Sequence, residues 1–71
     1  MSEKIEFAVF CIEHVAKYLD TDASTVYKAL TSKNNILYTY IIPNYDVLHT
    51  QGKDYIVEDI VGVMREDGVC V

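Results

Sequence analysis

Apolar residues recur at steps of three and four along residues 3–19: Ile5, Ala8, Ile12, Val15 and Leu19. That spacing is one face of a helix. A second row, Phe7, Cys11, His14 and Tyr18 with Phe10 beside Cys11, lies on a neighbouring face, which leaves Glu6, Glu13 and Lys17 to mark the wet side. A helix apolar on more than one side is central in its fold or covers another chain. Asp20-Thr21-Asp22-Ala23-Ser24 breaks the pattern with short polar residues that compete for backbone hydrogen bonds. Thr21 or Asp22 is placed to cap a second helix running to about Ser32, with Val26, Ala29 and Leu30 inward, and Lys33-Asn34-Asn35 to stop it.

The run Ile36 to Ile42 has the β-branched and aromatic content of a strand. No second strand pattern exists to pair with it, and a lone strand is not stable. It is therefore read as a third helix, broken or kinked at Pro43, which cannot donate a backbone hydrogen bond. Val47 and Leu48 are expected to point inward from its second piece, which ends at Gln51-Gly52. A last helix spans about Lys53 to Glu66, with Ile56, Ile60, Val63 and Met64 on one side, Val57 and Val61 adjoining, and Asp67-Gly68 closing it. The expectation is a single all-α domain of four helices over residues 1–71.

A chain of 71 residues buries only about 60% of its unfolded surface, so its own core stabilises it by a few kcal/mol. Half of its residues are hydrophobic, which points to surplus apolar surface hidden in a homo-oligomer or a partner. Eleven Asp and Glu against six Lys and Arg give a formal charge of −5. An acidic chain is disfavoured on nucleic acid and on anionic membranes, and favoured on a basic protein partner. No apolar run approaches the roughly 20 residues of a membrane span, and MSEKIEF is not a signal peptide. With Cys11 and Cys70 its only cysteines, the chain reads as a cytoplasmic protein with reduced thiols, although a bridge between them would close a loop of nearly the whole chain.

Four constellations carry chemistry. Residues of about 15–33 have the spacing of a helix-turn-helix that would aim Ser24, Thr25 and Lys28 at a major groove, the reading of a small DNA-binding regulator. Asp20 and Asp22 at its entrance would meet phosphates, so a plain helical corner is the expected alternative. Cys11-x-x-His14 and Asp46-x-x-His49 each set two zinc-type ligands one helical turn apart, but Cys11 lies inside an apolar run, where a cysteine is usually a small buried hydrophobe. Asp46 could orient His49 for acid–base work, yet no activated nucleophile or glycine-rich phosphate loop accompanies them. No enzyme activity, metal or cofactor is therefore expected. The tyrosines are more persuasive, because tyrosine offers large contact area at small entropic cost. Tyr40, Tyr45 and Tyr55, with Asp46, His49 and Gln51, are the candidate contact residues for a protein partner, and Phe7 and Phe10 a candidate self-association surface. The competing expectation is that the rings pack the fold's own corner.

The segments "EFAVFCIEHVA" at 6–16 and "YIIPNYDVLHTQGKDYIVEDI" at 40–60, with "VYKAL" between them, resemble a family of short bacterial proteins, especially of Firmicute type, classed as a domain of unknown function. The resemblance covers nearly the whole chain. It implies an antitoxin-like partner of toxins related to ADP-ribosyltransferases encoded nearby, and it carries no catalytic residues to this sequence.

Overall fold

The computed structural model describes residues 3–32 and 35–69. Helix α1 spans Glu3–Leu19, α2 Ala23–Thr31, a π-helical segment Leu37–Ile41, the single-turn α3 Tyr45–Leu48, and α4 Lys53–Glu66. The fold is all-α, with no strand among the described residues. Instead of four helices, the described residues form three long ones and two short helical pieces.

Helix α1 is the centre. It packs against both α2 and α4, and α2 packs in turn on the π-segment. The stripe it buries is rotated from the expected one: Ala8, Cys11, Val15 and Ala16 are inside, Ile12 and Leu19 lie at the margin, and Ile5 is exposed. Four small side chains on the buried face let two helices approach a single axis from different sides. Tyr18, expected on the second apolar row, is also exposed. Opposite this stripe lie Val26 and Leu30 of α2, Leu37 and Ile41 of the π-segment, and Ile56, Val57, Ile60, Val61 and Met64 of α4, all buried. No polar or charged residue is buried among those described.

Helices α1 and α4 end in the same motif. At the end of α1, Asp20 takes the left-handed conformation (φ 55°); its N–H donates to Lys17 O (3.2 Å) and Thr21 N–H to Ala16 O (2.9 Å). At the end of α4, Gly68 takes φ 73°; its N–H donates to Arg65 O (3.1 Å) and Val69 N–H to Met64 O (2.8 Å). Both are Schellman closures that satisfy carbonyls the helix leaves unpaired. Asp22 does occupy the N-cap position of α2, but with no side-chain capping bond, and Val26 N–H closes the first turn on its carbonyl (3.1 Å).

The corner that carries Pro43 is built by hydrogen bonds rather than by a bend in one helix. Asn35 enters it at φ 49°, and its carbonyl accepts the N–H groups of Tyr38 (3.1 Å) and Thr39 (3.0 Å) and the Thr39 hydroxyl (3.0 Å). Ile42 N–H then reaches five residues back to Leu37 O (3.0 Å), which widens the turn immediately before the residue that has no N–H. Asn44 secures the far side, donating to Tyr40 O from its backbone (3.2 Å) and its Nδ2 (2.7 Å). The following turn is pinned by Leu48, which is buried, whereas Val47 is 63% exposed. The inward pair expected here is thus one residue, because a single turn of helix offers the core only one position. Lys33, Asn34 and Cys70, named above in the helix stop and the disulfide question, lie outside the described residues.

Candidate functional site

The corner delivers Tyr45 to the side of α1 near its start. There the Tyr45 ring meets Phe7 edge-to-face, with centroids 5.4 Å apart and planes at 75°. Phe7 in turn lies near Phe10 (6.2 Å), Phe10 packs on His14 (4.2 Å), and Tyr45 stacks on His49 (4.5 Å, 11° between planes). Five rings therefore form one string, His14–Phe10–Phe7–Tyr45–His49, across two elements distant in sequence. Offset and edge-to-face contacts of this kind each add about 0.5–1.5 kcal/mol beyond area burial.

Both ends of the string use one local device. His14 Nδ1 lies 2.8 Å from Phe10 O and His49 Nδ1 2.6 Å from Tyr45 O, each four residues back. A carbonyl only accepts, so Nδ1 carries the proton in each ring and Nε2 holds the lone pair when the imidazole is neutral. The bond that orients the His49 ring thus runs to the Tyr45 carbonyl. The Nδ1 proton that an orienting carboxylate would take is spent on a backbone carbonyl, and Asp46 stands exposed.

An open groove of about 410 Å³ runs over four of the five rings, walled by Phe7, Phe10, Tyr45, His49 and Ile56 and rimmed by Glu3, Glu6, Gln51 and Lys53. The Tyr45 hydroxyl donates a long hydrogen bond to Glu3 (3.4 Å); partial burial, then the Glu3 carboxylate, pushes its phenol above the ordinary value. A second cleft of about 440 Å³ lies between α1 and α4, lined by His14, Lys17, Tyr18, Lys53, Asp54, Val57 and Glu58. Lys53 belongs to both, and the Phe10–His14 stack has one ring in each.

Of the contact residues read from the sequence, Tyr45, His49 and Gln51 line the groove, and so do Phe7 and Phe10, which the sequence reading held apart as a self-association surface. Tyr40, Asp46 and Tyr55 do not line it. Tyr40 instead donates to Asp59 of α4 at 2.5 Å; that bond first, then burial and neighbouring groups including Tyr55, push its phenol to about 12. Tyr40 is thus a strut between the corner and α4, with Tyr55 largely exposed beside it. Glu3, Glu6, Lys53 and Ile56 were missed, since nothing local in the sequence marks a rim that only tertiary packing assembles.

Cys11 is a wholly buried free thiol, raised by burial from about 9 to about 12. No three His, Cys, Asp or Glu side chains among the described residues come together to hold a metal ion. On α2, Ser24 and Lys28 are exposed and Thr25 is partly buried, with Asp20 and Asp22 exposed at the amino end. Among the described residues, no helix is long and apolar enough to cross a membrane. Comparisons with curated proteins and with solved structures find no match. Residues 6–67 match the family described as "Protein of unknown function (DUF3791)", and the chain belongs to it.

Proposed function

We propose that this chain is a protein-binding module and that the aromatic groove is its docking surface. The observation that carries the reading is the ring string. Phe7, Phe10 and Tyr45 are only partly buried, yet they are held in fixed mutual geometry by two elements and two histidine–carbonyl bonds. Rigid aromatic rings in an open groove supply contact area with little ordering left to do on binding. The acidic charge favours a basic partner, and an antitoxin-like hold on an enzyme is one process such a module would serve.

The test is recovery of the tagged chain from its host with its bound proteins, for wild type and for His49→Ala/Gln51→Ala. Both side chains are exposed, so the fold should be retained, which a thermal melt checks. A stoichiometric companion present with wild type and lost with the variant is the expected result. A companion retained at full occupancy would refute the groove as the docking surface. A salt series separates this from the DNA-binding regulator read at residues 15–33, since duplex affinity falls steeply with salt and an apolar contact does not.

A further inference from the structure

The groove and the neighbouring cleft share Lys53 and meet at the Phe10–His14 stack, and their linings on α1, taken together as a trough, run from Glu3 to Tyr18. Fifteen helical steps at about 1.5 Å each give this trough a length of about 22 Å. We infer that it is built for a basic amphipathic helix of about four turns supplied by another protein. The inference rests on the docking reading above and names the chemistry of its occupant.

Three observations select that occupant. The described residues contain no strand, so no sheet edge is offered for an extended peptide to join. An extended segment in this trough would lose water from its backbone without gaining a ladder, whereas a helix arrives with its backbone groups already paired. The floor is apolar and aromatic, with Phe7, Phe10, Ile56 and Val57, which suits anchors spaced three and four residues apart. The rim carries four carboxylates, Glu3, Glu6, Asp54 and Glu58, against two ammonium groups, Lys17 and Lys53. Lys or Arg at the flanks of the incoming helix meets Glu3 and Glu6, and can also lie over the Phe7 and Tyr45 rings.

A second copy of this chain fits less well. In a two-fold dimer the same patch meets itself, which would set Glu3 and Glu6 of each copy across one interface between two chains of charge −5. Like charges at close quarters work against that arrangement.

The chain has no tryptophan, so a tryptophan-bearing peptide reports its own binding by fluorescence. The probe is a synthetic peptide of about 15 residues with Leu and one Trp along a helical face and Lys elsewhere. The comparisons are a Leu/Glu peptide of the same pattern and a scrambled Leu/Lys peptide. The Leu/Lys peptide should bind wild type, become helical by circular dichroism, and bind at least tenfold more tightly than either comparison. Glu3→Lys/Glu6→Lys should lose about tenfold in affinity; Glu13→Lys/Glu66→Lys, an equal charge change at exposed positions off the trough, should lose less than threefold. Equal binding of the three peptides, an unaffected Glu3→Lys/Glu6→Lys variant, or a wild-type dimer in sedimentation that excludes the peptide would each overturn the inference. If the host companion is lost with His49→Ala/Gln51→Ala while the peptides show no charge preference, the docking reading stands and the basic helix falls. If neither depends on the groove, both fall.

Discussion

Asp20→Gly should make this protein more stable by about 1 kcal/mol. An L-residue in the left-handed conformation costs about 1–2 kcal/mol, with Asp toward the low end because its short polar side chain tolerates it. Asp20 sits there at φ 55° as the closing residue of α1. Its carboxylate also lies at the negative end of a 17-residue helix, which costs a further ~0.3–1 kcal/mol. Glycine removes both costs and returns ~0.5–1 kcal/mol through the extra freedom of the unfolded chain. The net gain corresponds to a rise of about 4–8 °C in Tm for a domain of this size. The molecule contains its own control, since α4 closes on Gly68 with the same pair of hydrogen bonds. A Cβ at Gly68 would meet nothing within 4 Å, so Gly68→Ala tests the backbone conformation alone and should cost about 1 kcal/mol. Urea titrations followed by circular dichroism at pH 7 provide the measurement, with Asp20→Asn separating the charge effect (about 0.5 kcal/mol) from the backbone effect. A neutral or destabilising Asp20→Gly, together with a harmless Gly68→Ala, would refute the reasoning.

Three further outcomes are expected. In a Cys70→Ser background, Cys11 should resist iodoacetamide at pH 8 under native conditions and react readily in urea, since its thiol is raised to about 12 by burial. Tyr40 binds its phenolic proton more tightly folded (about 12) than unfolded (about 10), so its contribution to stability is complete below pH 10 and is lost as pH rises toward 12; urea titrations across that window should show a steeper fall for wild type than for Tyr40→Phe. Leu48→Ala should destabilise by about 2–4 kcal/mol in the same titration, whereas Val47→Ala should change stability by less than about 0.5 kcal/mol.

The long helices were legible because their signals are local and repeated: α1 and α4 have the bounds that periodicity and Asp67-Gly68 suggest. The all-α class was legible from the lack of a partner for the run Ile36–Ile42. The Pro43 corner was only half legible. A proline announces a lost donor, but whether the chain answers by kinking, breaking or widening to an i→i+5 bond depends on Asn35 and Asn44 as acceptor and donor. The groove was least legible. Phe7, Phe10, Tyr45 and His49 each stood out as a residue, yet the joining of two sets 35 or more positions apart is a product of packing, as is the diversion of Tyr40 to Asp59.

Cys11 and Phe10 are neighbours on α1, one sealed in the core and the other walling the groove. The same helix turn therefore serves the fold and the surface, and neither can loosen without the other. Any occupant of the groove that needs the folded form raises stability by mass action, about 2.7 kcal/mol when present at a hundred times its Kd. A single core of this size supplies only about 3–5 kcal/mol by itself. Such occupancy would thus raise the margin against unfolding by about half to nine-tenths, so the lifetime of the chain under proteolysis would become a measure of how much partner is present.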